Sequence, residues 1–231
     1  MIVQWLGHSA FRVEIEGVVA LFDPFLTGNP KFSGDRDAAI AGVTHVLLTH
    51  GHNDHFGDTI DVLAKTGATL VSTPELCGYV SSVAPAAKCV GMNIGGTARL
   101  GDASVSMVRA HHSSSYHAPD GATIYGGEPT GLILKVGGRS VYHMGDTAAY
   151  SDMGLVNELH RPEVGIVPIG DHYTMGAEEA ALAVNRWFDF RAVFPCHYRT
   201  FPVLAQDASA FVSRVIKGKV HAPEPMERVE T

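Results

Sequence analysis

The chain alternates short apolar runs with stretches of helical periodicity. Residues 11–15 and 18–22 form two strand-like apolar patterns, and the tight turn at Glu16-Gly17 between them predicts a β-hairpin. Residues 43–49 (VTHVLLT) predict a buried strand, and residues 59–65 have the periodicity of a helix. The other predicted strands are 2–6, 104–109, 131–136, 140–143, 164–169 and 192–194, and the other predicted helices are 177–188 and 208–217.

Two segments of the chain resemble each other. Residues 11–23 and 131–146 each contain a strand, a glycine turn, a second strand and then an aspartate, Asp23 or Asp146. Chance also produces such pairs, because hairpins are common. The repeat fits an architecture of two similar β-rich halves with helices outside. Since no linker or low-complexity segment divides the chain, we predict a single domain over residues 1–231.

Composition and charge narrow the class of protein. With 45% hydrophobic and 18% charged residues the chain is typical of a globular protein, and its net charge of -7 provides no basic field for nucleic acid or an anionic membrane. The amino terminus lacks the pattern of a secretory signal, and the apolar runs are too short to span a bilayer. The scattered cysteines, Cys77, Cys89 and Cys196, suit a reducing compartment. We therefore expect a cytoplasmic protein whose partners are a small-molecule substrate and, at most, further copies of itself.

The strongest chemical signal is the hexapeptide HGHNDH at residues 50–55. It places His50, His52, Asp54 and His55 directly after a predicted buried strand and before a predicted helix. Imidazole and carboxylate groups are ligands for zinc, manganese or iron, and without a cation such a cluster would be desolvated with no partner. The alternative is a polar loop with fortuitous histidines.

Further candidate ligands follow other predicted strands. They are His111-His112, Asp146, Asp171-His172 and His197. A single histidine after a strand is more often structural than a ligand. Because ligands collect at the carboxyl ends of strands in open α/β sheets, the shared placement favours one metal centre.

The order of these residues resembles the metallo-β-lactamase superfamily. An HxHxDH motif is followed by a histidine about sixty residues later, by the GDT at 145–147 and by a late histidine. Additional stretches resemble a branch of bacterial and archaeal metal-dependent hydrolases akin to ascorbate-6-phosphate lactonase. They are WLGHSAF (5–11), DPFLTGNP (23–30), HSSSY (112–116), YHMGDTA (142–148), GDHYTMG (170–176) and PCHYRTFP (195–202).

This resemblance implies a fold and a set of ligands. The fold is α/β, a four-layer αββα sandwich of two mixed β-sheets with outer helices and a metal site at one edge. The implied ligands are His50, His52 and His112 for one divalent cation, Asp54, His55 and His197 for a second, and Asp146 as a bridge. Zinc and manganese both suit these ligands. His112 is preferred because it directly precedes the serine-rich turn, which leaves His111 on the other face of the strand.

The resemblance also implies a reaction. Two cations lower the pKa of a bridging water towards about 7, which makes hydroxide available to cleave an ester, lactone or phosphodiester bond of a small metabolite. Asp54 would orient this hydroxide and take its proton. His172 is a candidate proton donor facing the substrate, with a structural role as the alternative.

Several other residues have open roles. His8 and Asp23 are candidates for orienting metal ligands. Tyr198 and Arg199 are candidates for contacting an anionic substrate, or else are solvated loop residues. Cys196 is expected to point into the core. The histidines expected to be structural or on the surface are His45, His143, His160 and His221.

Other functions of the same fold fit less well. Oxygen-reducing di-iron relatives have a glutamate at the second histidine of the motif, where this chain has His52. A tRNA-processing nuclease would need a basic arm, and a true β-lactamase would need an export signal. A non-catalytic metal-binding or regulatory module is the alternative from a different class. The intact ligand set weighs against it, since an open metal-bound water is needed only for chemistry.

Overall fold

The computed structural model describes all 231 residues, and its first half is organised around a seven-stranded mixed sheet. The strands are β1 (Ile2–Trp5), β2 (Phe11–Ile15), β3 (Val18–Phe22), β4 (His45–Leu47), β5 (Thr69–Ser72), β6 (Lys88–Gly91) and, from the carboxyl end, β16 (Arg228–Glu230). Their order is β16-β1-β2-β3-β4-β5-β6. Pairing is antiparallel from β16 to β3 and parallel from β3 to β6.

The second half forms another seven-stranded mixed sheet. Its strands are β7 (Thr97–Leu100), β8 (Ala103–Arg109), β11 (Thr130–Val136), β12 (Arg139–His143), β13 (Val164–Pro168), β14 (Ala192–Cys196) and β15 (Lys219–Val220). Their order is β15-β14-β13-β12-β11-β8-β7, parallel from β15 to β12 and antiparallel beyond. A separate hairpin consists of β9 (Ser115–His117) and β10 (Thr123–Tyr125).

Helices cover the outer face of each sheet. They are α1 (Arg36–Ile40), α2 (Asn53–Phe56), α3 (Thr59–Thr66) and α4 (Pro74–Val83) in the first half, and α5 (Met153–His160), α6 (Ala177–Trp187) and α7 (Ser209–Val212) in the second. Strand β3 shows how alternation sorts its side chains. Ala20 and Phe22 belong to the large core cluster shared with the second sheet, whereas Leu21 packs in the cluster with α1 to α4. The predicted αββα sandwich of two mixed sheets is confirmed.

The two similar segments occupy equivalent places, one hairpin in each sheet. The turn at Glu16 and Gly17 has φ values of 47° and 84°, and the turn at Gly137 and Gly138 has 53° and 84°. Two successive positive φ values are typical of the type I′ turn that joins twisted strands, which explains the glycines. The hairpins bring Asp23 to the end of β3 and Asp146 three residues beyond β12.

The prediction of a helix over residues 208–217 is wrong. Helix α7 covers only Ser209–Val212, and Phe211 is the one fully buried side chain in this stretch. Val212 and Ile216 are exposed, so no apolar stripe holds a longer helix against the sheet. The sequence analysis also lacks helices α1, α2, α4 and α5 and strands β5, β6, β7, β9, β10, β15 and β16, most of which are short. No helix is both long and apolar enough to cross a membrane.

Candidate metal centre

The candidate ligands meet at one edge of the molecule, between the two sheets. The HGHNDH motif follows β4 of the first sheet, whereas His112, Asp146 and His197 follow β8, β12 and β14 of the second. The predicted gathering is therefore present for these residues, and both sheets contribute to it, whereas Asp171 and His172 are exposed and belong to neither candidate ligand group.

Four of these side chains form a first cluster, comprising His50, His52, His112 and Asp146. One ligand atom from each lies within 4.8 Å of the others. His50 Nε2 is 3.1 Å from His52 Nδ1, and His112 Nε2 is 3.5 Å from Asp146 Oδ2. This arrangement offers three nitrogens and one oxygen to a single point, as a divalent transition metal requires.

A second cluster lies beside the first and comprises His8, Asp54, His55 and His197. Asp146 faces this cluster as well. Its Oδ1 is 3.3 Å from His55 Nε2, and its Oδ2 is 3.0 Å from His197 Nε2. One buried carboxylate thus lies between the two groups of ligands.

The polar atoms at the junction of the clusters fit a metal ion. His55 Nε2 and Asp146 Oδ1 are buried and have no hydrogen-bond partner. Buried polar atoms are almost always satisfied, and an unsatisfied pair of a nitrogen and a carboxylate oxygen is what a cation would complete. The residues present therefore suit the divalent metals that the sequence predicts.

Asp23 holds the opposite nitrogen of His55. Its Oδ2 is 2.7 Å from His55 Nδ1, and it also accepts hydrogen bonds from the Thr49 amide and hydroxyl. A carboxylate on Nδ1 fixes the N–H there and leaves Nε2 as a bare donor for a metal. The equivalent aspartates of the two similar segments, Asp23 and Asp146, consequently face the two nitrogens of one imidazole.

Burial and mutual repulsion keep the three first-cluster imidazoles neutral. Burial, followed by the neighbouring His55, lowers the pKa of His50 well below its usual value. Burial and the nearby His112 likewise lower the pKa of His52, and burial lowers that of His112. Burial also lowers the pKa of His55 in the second cluster, but the carboxylates on both sides of its ring outweigh burial and raise it overall, so a cation bound at Nε2 would replace a proton there. Neutral imidazole is the form that binds metals.

His8 is a fully buried residue that connects the second cluster to the scaffold. Its Nε2 is 3.0 Å from Asp54 Oδ2 and its Nδ1 is 3.0 Å from Thr200 Oγ1. Burial and the nearby His197 lower the pKa of His8 to about 4, so the ring carries one N–H near neutral pH. Burial raises the pKa of Asp54, but the hydrogen bond with His8 and the charge of His55 lower it by more. Asp54 is therefore ionised and can only accept hydrogen bonds. We therefore place the N–H on Nε2. Nδ1 then faces the Thr200 hydroxyl, whose one hydrogen lies within reach of both Nδ1 and the Tyr198 carbonyl, at 3.0 and 3.1 Å.

Three residues around the clusters have left-handed backbone. The φ values are 55° for His8, 42° for Asp23 and 56° for His197. Non-glycine residues in this region are strained and persist where surrounding contacts enforce them, which is common at functional sites. His8 is held by hydrogen bonds to its carbonyl from the indole of Trp5 and the amide of His197.

The clusters open into a cleft of about 540 Å³. Its lining residues are His52, Asp54, His112, Ser113, Asp146, Tyr173, His197, Phe201 and Val203. The sequence analysis assigned no role to Tyr173, Phe201, Val203 or Ser113. Tyr173, Phe201 and Ser113 lie within the quoted motifs, whereas nothing in the local pattern marks Val203.

Some predicted side chains lie elsewhere. His172 is exposed and outside the lining residues, although its ring contacts that of Tyr173. His111 is exposed and stacks on Tyr150, away from the ligands. Cys196 is fully buried in the large core cluster, as expected.

Tyr198 and Arg199 do not face the cleft. Tyr198 is 1% exposed and stacks on Trp5 at 5.1 Å. Arg199 donates to both carboxylate oxygens of Glu224, at 3.0 and 3.1 Å. The suggestion that these two residues contact an anionic substrate is wrong, because the turn after His197 directs them away from the metal ligands.

His143 has a structural role close to the centre. Its Nδ1 accepts from the Gly145 amide at 3.0 Å, so its Nε2 donates to the Ser9 carbonyl at 2.9 Å. Gly145 has a φ of 65°, and a Cβ there would lie 2.5 Å from the Thr130 carbonyl oxygen. The histidine and the glycine together fix the turn that delivers Asp146.

Comparisons with known proteins agree on one family. The model of the Beta-lactamase superfamily domain matches residues 2–197. A UPF0173 metal-dependent hydrolase of Chelativorans sp. (strain BNC1) is 48% identical over 234 residues, 100% of both chains. A relative with the same description in Agrobacterium fabrum is 46% identical over 228 residues, 97% of both chains.

Solved structures show the same similarity. Igni18, a metallo hydrolase from the hyperthermophilic archaeon Ignicoccus hospitalis, has 36% identity and a TM-score of 0.86, covering 99% of this chain and 97% of its own. An isothiocyanate hydrolase from Delia radicum gut bacteria shares the fold with a TM-score of 0.76 at 14% identity, covering 100% of this chain and 99% of its own.

Proposed function

Because the chain belongs to the β-lactamase superfamily, and within it to the UPF0173 metal-dependent hydrolases, we propose that it uses two divalent cations to hydrolyse an ester, lactone or phosphodiester bond of a small metabolite. The observation that carries this proposal is the Asp146 carboxylate between two clusters of ligands, with its Oδ1 and His55 Nε2 unsatisfied. The proposal treats residues 1–231 as one hydrolase domain, since both sheets supply ligands.

The proposed ligands divide into two sets. His50, His52 and His112 would hold one cation, Asp54, His55 and His197 the other, and Asp146 both. Zinc or manganese suits this mixture of nitrogen and oxygen. When bound, the cations would supply hydroxide at neutral pH and polarise the electrophilic group of the substrate.

The side chains around the cations have distinct tasks. Asp54 borders the cleft and is ionised, so it is able to orient the attacking water. It is also the proposed acceptor of the proton of this water, a role that its lowered pKa does not favour, because a carboxylate with a low pKa is a weak base. His8 fixes the orientation of Asp54 through its Nε2. His172 is proposed as a proton donor to the leaving group, reached by a substrate that extends past Tyr173.

A panel of model substrates tests this function. We expect the protein reconstituted with zinc or manganese to contain close to two metal ions per chain and to hydrolyse at least one class among carboxylic esters, lactones and phosphodiesters. Asp54→Ala and His52→Ala should each lower kcat/KM by about 10²- to 10⁴-fold, because each removes a ligand and Asp54→Ala also removes the proposed base. Elemental analysis and initial rates provide the measurements.

The same panel separates the enzyme from the non-catalytic alternative. If the fully metallated wild type and both variants show equal residual rates on every class, the protein is a metal-binding module. If only trace metal binds after reconstitution, the metal centre itself is wrong.

His8 provides a second prediction. His8→Ala should weaken the cation proposed to be held by Asp54, His55 and His197 by about 10- to 100-fold and lower kcat/KM, because Asp54 loses the group that orients it. Thr200→Val should have a smaller effect in the same direction, since it removes only the hydroxyl beside Nδ1. Competition with a chromogenic chelator measures both affinities.

A remote histidine is the control for this pair. His160→Ala alters a half-buried residue at the end of α5 and should leave both metal affinities unchanged. Equal metal affinities in His8→Ala and the wild type would show that His8 does not position Asp54.

A further inference from the structure

One wall of the cleft is apolar. It is formed by Tyr173, Phe201 and Val203, from the loops after β13 and β14, and is called the apolar wall below. Tyr173 is 57% exposed and Val203 is 55% exposed, while the Phe201 ring packs edge-on against His8 at 5.5 Å. Grouped apolar side chains beside a reactive centre gain free energy when an apolar part of a ligand covers them.

A second part of the cleft lining is polar and comes from the loops after β4 and β8. It includes His52, His112 and Ser113, and the exposed Ser113 hydroxyl lies 3.3 Å from His52 Nε2. The cleft therefore distinguishes two sides of a substrate placed over the metal ligands. A polar part would face Ser113, and an apolar part would face the apolar wall.

The cleft has no cationic side chain to pair with a charged substituent. None of its nine lining residues is a lysine or arginine, and its acidic residues are the proposed ligands Asp54 and Asp146. Arg199, two residues after the proposed ligand His197, is bound by Glu224 and directed away. An anionic tail on the substrate would lose solvation against the apolar wall and gain no partner.

We infer that the substrate is a carboxylic ester or lactone with a neutral, apolar substituent, which the apolar wall binds. This inference rests on the proposed function and narrows it to substrates with an uncharged tail, since a phosphate or carboxylate on that tail would meet the apolar wall with no cationic side chain beside it. In the reaction, the acyl carbon–oxygen bond breaks as water oxygen bonds to the acyl carbon. The two protons of the water are shared between the leaving alcohol and the medium, and the products are a carboxylate and an alcohol or, from a lactone, one hydroxy acid.

A homologous series of lactones tests the inference on the zinc-reconstituted protein. The series consists of γ-butyrolactones whose γ-alkyl chain lengthens from methyl to hexyl. We expect kcat/KM to rise about two- to fourfold per methylene until the wall is covered, because each buried methylene contributes transfer free energy. A lactone of equal length whose chain ends in a carboxylate, and methyl 4-nitrophenyl phosphate, should each react at least about tenfold more slowly than the best alkyl lactone.

Variants of the apolar wall make the test specific. Tyr173→Ser and Val203→Ser should flatten the dependence on chain length, and Val203→Arg should shift the preference towards the carboxylate-ended lactone. Leu182→Ser is the matched control, since Leu182 on α6 is also 55% exposed and lies outside the cleft. It should retain the wild-type dependence.

Binding of a non-hydrolysable analogue gives a second measurement. Calorimetry with 2-alkylcyclopentanones on the metal-loaded wild type should show the dissociation constant falling along the same series, and Val203→Ser should weaken this trend. If the active protein shows no chain-length dependence, or prefers the anionic substrates, the inference is overturned and the proposed function stands. If the fully metallated protein hydrolyses none of the lactones, carboxylic esters or phosphodiesters, the proposed function fails and the inference fails with it.

Discussion

Asp146→Ala is expected to reduce the metal content from close to two ions per chain to well below one and to lower kcat/KM by at least about 10³-fold. Asp146 is the only residue whose carboxylate faces both clusters, and its side chain is 2% exposed. Its loss would remove charge neutralisation from both cations at once. The expected loss of about 10³-fold in kcat/KM corresponds to a loss of about 4 kcal/mol of transition-state stabilisation.

The comparison that isolates the bridge uses two further variants. Asp146→Asn keeps the shape of the side chain and removes its charge, so its metal content should lie between those of the wild type and Asp146→Ala. Asp189→Ala removes an exposed carboxylate that pairs only with Lys217 and should match the wild type in metal content and rate. Retention of both metals by Asp146→Ala would exclude the bridging role.

Asp23→Asn is expected to preserve the fold while weakening one metal by about 10- to 100-fold. The amide oxygen would keep the bond from the Thr49 N–H, which turns the NH₂ group towards His55 Nδ1. His55 would then accept on Nδ1 and move its hydrogen to Nε2, the nitrogen proposed to bind metal. In the opposite orientation, the NH₂ group of the asparagine would face the Thr49 N–H, and both groups are donors. Metal titration of the variant measures the effect.

Asp23→Ala should act on stability as well. It leaves the Thr49 amide, the Thr49 hydroxyl and His55 Nδ1 without their acceptor in a fully buried place, at a cost of about 3–5 kcal/mol in the free energy of unfolding. Denaturant unfolding of the metal-free protein measures this cost.

Asp58→Asn provides the matched control for Asp23. Asp58 is also a largely buried carboxylate that accepts from two backbone amides and a threonine hydroxyl, at Leu26 and Thr27. Its replacement should reduce stability without changing the affinity for either metal. Equal metal affinities in Asp23→Asn and Asp58→Asn would show that Asp23 does not favour metal binding by keeping the His55 hydrogen on Nδ1.

Local sequence patterns determined much of this protein. The hairpin turns require positive φ values at fixed positions. The dipeptides Glu16-Gly17 and Gly137-Gly138 allow these values by their own conformational preferences, independently of distant residues. The position of the HGHNDH motif at the end of β4 was also predictable, since a short loop between a buried strand and a helix has few possible courses. The resemblance of the motif order to a known superfamily supplied the sandwich of two sheets.

Weak elements were beyond local prediction. Strand β6 lies at the edge of its sheet, and its residues are exposed or half-buried. Helix α7 ends after four residues because Val212 and Ile216 have nothing to pack against. In both cases the packing partners that the rest of the fold offers, and not the segment's own sequence, decide whether a regular element forms.

The roles of individual site residues depended on the tertiary structure. His8 and Thr200 lie 192 residues apart in the chain, and only the packing of the two sheets brings them together beside Asp54. Arg199 follows a proposed ligand closely in sequence, yet the left-handed backbone of His197 turns it towards Glu224. The sequence therefore determined which chemical groups are present and in which loops, because motifs and turns are local. Which way each group faces was decided by long-range contacts, since side-chain direction follows from backbone conformation and from the partners that burial provides.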